Sequence, residues 1–424
     1  MYVYVLNKNG QPLMPTKRCG KVHRLLKAKK AKVIRRCPFT IKLLYDIEDP
    51  IVQDCTIGVD TGSKFVGVAV VSGNKVLYAS QVELRDDIKR KMDDRRTARR
   101  NRRNRKTRYR KARFLNRKNL IRKDRLPPSV LSKKQSHIDE IDFCSRILPI
   151  NKKVFEVSQF DTHALKNPAL LLEKVKHWGY QKGFDYSYAS RKEAVRARDN
   201  YTCQICKAKN TKLEVHHIIF RTNGGTDDED NLVTLCSDCH SKIHDGKLTY
   251  DKKPKKMQLK YATQMSVLRS QLLKYYDDAI ETFGFVTSEN RQALGIAKTH
   301  YTDAIVIASG GNAVEMPEVV FYKKRVAKGD YRLCKGARGE VCLPTGKVGG
   351  FRKFDKVRYF GEEYFIFGRM SAGYAALMDI FGSKVSFAYM PRGLKTPKMS
   401  NMRRLSARKS VLCVLPRVSN SQKR

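Results

Sequence analysis

Negative charge is what this sequence has least of for its length. Lys and Arg number 87 against 41 Asp and Glu, a formal net charge of +46 over 424 residues. A folded chain so unbalanced repels itself unless a polyanion neutralises it, which makes nucleic acid the expected partner. Long apolar runs are missing too. None approaches the ~18 residues of a membrane-spanning helix, and the polar start MYVYVLNKNG does not read as a signal peptide. A membrane or secreted protein is therefore not expected, and a cytoplasmic one is. The length, with 30% charged residues, suits two to four domains rather than one compact enzyme. Cysteine, by contrast, is present: eleven residues, an odd number, with four in two Cys-x-x-Cys pairs. That pattern fits a reducing compartment and a zinc site better than a disulfide scaffold. The other seven read as buried small hydrophobes.

Residues 1–45 alternate apolar and basic positions, as short strands do around a basic helix near Val22 to Lys30, and so read as a small α/β module. Cys55 to Leu84 reads as three strands with Gly-containing turns, the first ending in Asp60. From Lys89 to Leu126, 20 of 38 residues are Lys or Arg, with three acids and no Gly or Pro before LPPS, so the segment is helix-competent. Basic residues cover all its sides, and Met92, Ala98, Phe114 and Leu115 cannot form a core stripe. Such a helix needs phosphate around it. Residues 134–165 read as a helix followed by the strand KKVFEVSQF, which carries Glu156, and 166–189, with the only Trp, reads as a linker. MQLKYATQMSVLRSQLLKYYDDAIETFG reads as one long helix, HYTDAIVIAS as another, and residues 313–424 as short strands of a small barrel or sheet.

The stretch YTCQICKAKNTKLEVHHIIF sets a Cys-x-x-Cys pair ahead of two adjacent histidines. Consecutive residues of a strand point to opposite faces, so His216 and His217 cannot share one ion and need separate roles. Cys203, Cys206, Cys236 and Cys239 complete a four-thiolate tetrahedron by themselves and are expected to hold one structural zinc. That frees the histidines. His240 and His244, at i and i+4, share a helical face suited to a second ion. From Ser190 to Gly246 nine basic residues balance nine acidic ones, so this segment's grip on a polyanion has to come from the rest of the chain.

A second constellation is dispersed: Asp60 at a strand end, Glu156 in a strand, and His300 with Asp303 in KTHYTDAIVIAS. Together they read as a carboxylate cluster on a central sheet, able to bind two divalent cations in line with a phosphodiester.

The order His-His, Asn, Cys-x-x-Cys-His-x-x-x-His resembles the HNH, or ββα-metal, nuclease motif. By position, the resemblance makes His216 a metal ligand, His217 the general base that activates water, Asn231 the brace of the hairpin loop, and His240 and His244 further ligands. Mg²⁺ is expected there, and because all-imidazole ligation favours borderline metals, other divalent ions stand as alternatives. The strand meander with Asp60, the strand with Glu156 and the His-x-x-Asp helix start resemble the RuvC branch of the RNase H-like fold. This likeness makes Asp60, Glu156 and Asp303 ligands of Mg²⁺, and His300 the proton acceptor.

With PLMP at Pro12 to Pro15, the whole layout resembles the IscB family of transposon-encoded RNA-guided endonucleases. It implies a multidomain α/β chain: an N-terminal PLMP module (1–54), RuvC segments (55–85, 127–165 and 251–312), an arginine-rich bridge helix (86–126), a linker (166–189), an inserted HNH domain (190–250) and a C-terminal domain reading a target-adjacent motif (313–424). It also implies a monomeric ribonucleoprotein of bacterial or archaeal cytoplasm, nucleoid-associated when on DNA. A noncoding guide RNA would lie against Arg95, Arg96, Arg99, Arg100, Arg102, Arg103, Arg105, Arg108, Arg110 and Arg113, with base pairing reading double-stranded DNA. HNH would cut the guide-paired strand and RuvC the displaced one. Two other readings stand beside it: a protein-guided endonuclease of homing or junction-resolving type without RNA, and an RNA-binding protein with vestigial nuclease sites. Competent residues at every catalytic position argue against the last.

Overall fold

A computed structural model describes residues 1–103, 125–158, 188–223, 225, 227–250, 259–327, 346–389 and 395–414. The chain divides into two units: Met1–Gln159 with Gln264–Arg424, and Phe160–Thr263.

The first unit begins with β1 (Val3–Leu6), β2 (Pro12–Thr16), α1 (Cys19–Lys27), β3 (Ala31–Arg36) and β4 (Phe39–Leu43), a four-stranded sheet in the order β2-β1-β4-β3. The sequence places the helix a few residues late. Val3, Leu13, Val22, Ile41 and Leu43 form its core. Two contacts fasten this module to the neighbouring sheet and helix. The Tyr4 hydroxyl donates to the Leu77 carbonyl at 2.9 Å, and the Arg35 guanidinium lies 4.6 Å from the Phe143 ring centroid.

β5 (Thr56–Asp60), β6 (Phe65–Ser72) and β7 (Lys75–Glu83) form an antiparallel meander, and after it come α2 (Ile88–Arg103), α3 (Pro128–Ser145) and β8 (Lys152–Glu156). In β5 and β6 the period-two alternation sorts side chains by size as well as polarity. Ile57, Val59, Val66, Val68 and Val70 join the core shared with α3. On the opposite face stand Gly58, Gly67, Ala69 and Val71. Asp60 has the parity of Gly58 and so belongs to that small-residue face.

The second unit contributes α4 (Arg191–Arg198), β9 (Leu213–His217), β10 (Leu232–Cys236) and α5 (Ser237–His244), with β9 and β10 an antiparallel hairpin. Ser190 caps α4, accepting from the Glu193 amide.

The chain then returns to the first unit through α6 (Lys260–Leu273), β11 (Ile280–Thr282), α7 (Gly284–Ala293) and α8 (His300–Ser309). The sequence reads 257–284 as one helix, but α6 stops at Leu273. Tyr276 packs edge-on against Phe155, ring centroids 5.5 Å apart, and its hydroxyl donates to Asp142 at 2.6 Å. The chain is thereby turned so that β11 adds parallel to β8. Tertiary packing overrides the helical pattern. α7 begins GFVTS, whose glycine and β-branched residues hide it from a propensity reading.

The remaining strands are β12 (Phe321–Arg325), β13 (Lys356–Tyr359), β14 (Glu362–Arg369), β15 (Ala375–Met378), β16 (Arg403–Ser406) and β17 (Val411–Val414). They divide between two sheets. β12 and β17 complete a seven-stranded mixed sheet of order β11-β8-β5-β6-β7-β12-β17, whereas β13 to β16 form a four-stranded antiparallel sheet of order β15-β14-β13-β16.

A buried ion pair ties α3 to the large sheet. Lys323 Nζ donates to Glu140 Oε1 at 2.6 Å and to the Tyr78 hydroxyl at 2.7 Å, while Tyr78 and Ser80 donate to the same carboxylate. Burial pushes the Glu140 carboxyl up, but Lys323 more than offsets this and keeps it below its ordinary value.

α8 covers the other face, with Ala304, Ile305 and Ala308 against Ala69, Val71 and Ala79. Its approach is closer than any side chain on β5 or β6 permits. A Cβ on Gly58 would strike the Ala304 carbonyl and the Ala308 amide, and one on Gly67 would strike the His300 carbonyl. Because these obstacles are helix backbone and cannot rotate away, Gly67→Ala is expected to destabilise the first unit by about 1–3 kcal/mol. Urea unfolding followed by circular dichroism should show a lower midpoint. An unchanged midpoint would mean that the helix does not rest on this strand.

Candidate metal centres

In the second unit, the hairpin and α5 gather two donor sets. The sulfurs of Cys203, Cys206, Cys236 and Cys239 all lie within 4.8 Å of one another, and so do imidazole nitrogens of His216, His240 and His244. Tetrahedral zinc with ~2.3 Å bonds sets its sulfurs about 3.8 Å apart, and Cys206 Sγ and Cys236 Sγ are 3.6 Å apart. The four-cysteine set fits a zinc site. Burial pushes the Cys203 thiol up, but the backbone amides of Cys236, Cys206 and Ile205 outweigh it and bring it to about 6. Cys239 is pushed the other way, up to about 12, by burial and then by the neighbouring thiols. Val233, Leu235 and Ile243 pack with Cys203, Cys236 and Cys239, so this little core is built on three of the thiols, with Cys206 exposed.

The adjacent histidines separate as the strand dictates. His216 is buried and paired in register with Val233, its ring centroid 5.0 Å from that of His240 and 5.2 Å from that of His244. Burial, then the neighbouring imidazoles, pushes His216 down to about 4, so it is neutral and can donate a lone pair. Glu214 Oε2 lies 2.8 Å from His240 Nδ1. With Nδ1–H donated to the carboxylate, Nε2 of His240 is the nitrogen left for an ion. His217 points the other way. Its Nε2 lies 2.7 Å from Asp227 Oδ1, which also accepts from Arg221. The His217 and Arg221 contacts hold Asp227 below the usual carboxylate range, so it accepts the Nε2 proton and leaves Nδ1 with a free lone pair. Asn231 is buried and closes the loop, its Oδ1 accepting from the Ile219 amide at 2.8 Å and its Nδ2 donating to the Ile219 carbonyl at 3.0 Å.

In the first unit, β5 and β8 run parallel with Asp60 opposite Glu156 in register, both at strand ends. α8 starts above them. Thr299 and Thr302 form its capping box, which sets His300 in the first turn with its Nδ1 2.6 Å from Asp60 Oδ2 and its ring stacked on Phe65. Hydrogen bonding to Asp60 raises the His300 pKa against its burial. Asp303, one turn further, is raised by burial and by the Asp60 charge, opposed by Arg291. Arg291 Nε stands 3.0 Å from Asp303 Oδ1 but is poorly aligned for a hydrogen bond, so the contact is ionic. Glu156 is raised by burial, which the Thr287 hydroxyl opposes and Asp60 reinforces. Carboxyls held up by one another suit a cation between them. Among the described residues, only the thiol and imidazole sets bring three or more donor atoms within 4.8 Å. The three carboxylates are set wider.

Arg95, Arg96, Arg99 and Arg100 are exposed on α2, and Arg102 and Arg103 are its last residues but one and last. Arg105, Arg108, Arg110 and Arg113 lie outside the described residues. Glu214, Asp227, Arg291, Thr287 and Phe65 were not singled out from the sequence. Glu214 had a signal, since it precedes His216 by two and so shares its strand face. Asp227 sits in the acidic run TDDED, where nothing sets it apart.

The RRXRR protein family matches residues 3–183, and the HNH endonuclease family matches residues 203–246. Among curated proteins, the chain is 36% identical over 66 residues to anaredoxin of Nostoc sp. (strain PCC 7120 / SAG 25.82 / UTEX 2576), covering 16% of this chain and 87% of that protein. It is 51% identical over 35 residues to the type IV methyl-directed restriction enzyme EcoKMcrA of Escherichia coli (strain K12). That stretch is 8% of this chain and 13% of the enzyme.

Cys203→Ser removes a buried sulfur from a core built on three of the four thiols. The variant is expected to lose one zinc per chain and the protease resistance of the second unit, because zinc binding in so small a module is folding energy. Elemental analysis showing wild-type zinc content would refute the four-cysteine site.

Proposed function

This chain belongs to the IscB-like HNH nucleases, and on that footing we propose that it cuts duplex DNA under the guidance of a bound RNA, one centre per strand. The observation that carries this reading is the coexistence of two unlike centres. One is an imidazole set beside a structural thiolate site, in the segment matching HNH endonucleases. The other is Asp60 and Glu156, side by side on parallel strands beneath His300 and Asp303, an arrangement that supports a RuvC-type reading.

His216, His240 and His244 would hold a divalent cation, and Asp60, Glu156 and Asp303 would hold Mg²⁺; such ions would supply Lewis-acid stabilisation of the charge that builds on phosphate and leaving oxygens. The chain's own groups do the rest. His217 takes a proton from water at Nδ1, since Asp227 occupies its Nε2. His300, with Nδ1 given to Asp60, accepts at Nε2. The wider spacing of the carboxylates suits a pair of ions better than one. Neither centre explains binding, for the segment from Ser190 to Gly246 is formally neutral. The excess charge resides elsewhere, and α2, with its exposed arginines, is the proposed RNA contact. It lies in the segment that matches the RRXRR family.

The chain purified at high salt is expected to carry a discrete RNA that RNase removes. Replacing Arg95, Arg96, Arg99 and Arg100 together by Ala should lower the salt dependence of RNA binding by about 3 in slope, at roughly 0.7–0.9 per lost phosphate contact. An unchanged slope sinks the role of α2. RNA-free protein with intrinsic sequence-specific cutting would favour a protein-guided nuclease instead.

The division of labour is tested with strand-labelled target DNA. His217→Ala should spare the guide-paired strand while the displaced strand is still cut, and Asp60→Ala should do the reverse. The double variant should bind target and cut neither strand, since guide pairing is untouched. If His217→Ala still cuts both strands, or Asp60→Ala stops both, the two-centre reading fails.

A further inference from the structure

Five described cysteines lie outside the zinc set, and they differ in surroundings. Cys55 and Cys144 are buried, and burial pushes both thiols up. Cys19 is exposed. Cys37 and Cys413, half-buried, instead face each other: their sulfurs are 3.5 Å apart although 376 residues separate them in the chain. Cys37 occupies the turn between β3 and β4. Cys413 lies on β17, paired in register with Lys323. The expectation that the cysteines outside the zinc set are buried small hydrophobes fails for the exposed Cys19, while Cys37 and Cys413 are partly buried against the core and also face each other.

We propose that Cys37 and Cys413 form a reversible redox site, a dithiol that a low-molecular-weight disulfide converts to an intramolecular disulfide joining the N-terminal sheet to the edge of the seven-stranded sheet. The surroundings assign the two thiols different parts. The hydrogen bond from Cys413 brings Cys37 down to about 7 against its burial, helped by Lys356 and Lys323 and opposed by Glu363. Cys413 keeps its proton, held well up first by that same hydrogen bond and then by burial. Cys37 is thus the attacking thiolate and Cys413 the resolving thiol.

The reaction balances as thiol–disulfide exchange. Cys37 Sγ attacks one sulfur of the oxidant RSSR, the S–S bond breaks, and RS⁻ leaves with the bonding pair, giving a Cys37–SR mixed disulfide. With Cys37 no longer an anion, the bond that held the Cys413 proton is gone. Cys413 gives up that proton, and its sulfur attacks Cys37 Sγ and expels the second RS⁻. The sum is two protein thiols plus RSSR giving one protein disulfide and two RSH, with two electrons passed to the oxidant. Such bonds in reducing compartments are transient and regulatory rather than structural. This one would clamp β17, the strand at one edge of the seven-stranded sheet.

The test uses the full-length, zinc-loaded chain equilibrated with mixtures of glutathione and its disulfide, quenched by alkylation and digested for mass spectrometry. The expected result is joint loss of the Cys37 and Cys413 thiols, recovery of their two peptides as one disulfide-linked species, and unchanged zinc content. In Cys413→Ser the exchange should stop halfway, with glutathione retained on Cys37. The proposal is overturned if both thiols stay free in mixtures that modify Cys19, or if the wild-type chain retains glutathione on Cys37 without closing. It is equally overturned if Cys37 is found linked to a zinc-set cysteine instead. Because the readout is a covalent bond rather than DNA cutting, it is independent of whether the nuclease assignment holds.

Discussion

The carboxylate centre depends on one steric allowance: at two points α8 comes so close to β5 and β6 that neither strand can carry a side chain there. Gly58 and Gly67 provide the two gaps, and the helix backbone fills them. The distance between helix and sheet then determines how far the first turn of α8 stands above the strand ends. His300 consequently bonds Asp60, and Asp303 comes within the influence of the same carboxylate. A single methyl group at either glycine would lift the lid from the site. Interiors pack too densely for the difference to be absorbed elsewhere.

The two centres solve the problem of holding a cation in opposite ways. The first unit gathers carboxylates, with Glu156 and Asp303 both raised by burial and by neighbouring carboxylates. The second unit uses imidazoles and keeps its carboxylates one bond further out, where Glu214 and Asp227 each contact a histidine nitrogen. Hard and borderline ions discriminate between such donor sets. The two donor sets of this one chain therefore differ in the ions they suit. The nearest thing to a conventional core in the second unit is built on three thiols of the quartet, with Val233 and Leu235 packed against them.

Local pattern carried much of this in the sequence. The strand meander, the acid at its end, the opposed histidines and the Cys-x-x-Cys pairs follow from period two, from ligand spacing and from the scarcity of Gly and Pro in the basic segment. Hidden were features decided by distant partners. Nothing within 257–284 announces that Tyr276 will pack on Phe155 and end the helix. Nothing in GFVTSENRQA marks a helix whose Arg291 will stand beside Asp303. The division of the C-terminal strands between two sheets was likewise invisible, because β12 and β17 look like β13 to β16 until the edge of β7 is known. The relation of Cys37 to Cys413 lay beyond any motif, at a separation of 376 residues.

Chain order has a further consequence, for synthesis. The seven-stranded sheet starts at Thr56 and is not complete until β17, and Asp60 waits 240 residues for His300. The hairpin, α5 and the thiol quartet of the second unit, in contrast, span only Cys203 to His244. Domains fold as units while the ribosome is still moving. The emerging polypeptide therefore completes its four-cysteine module before its seven-stranded sheet, and for a stretch of translation it is a nascent chain with one finished donor set and one half-built sheet. During that interval the strongly basic α2 has already been made, before the seven-stranded sheet is complete.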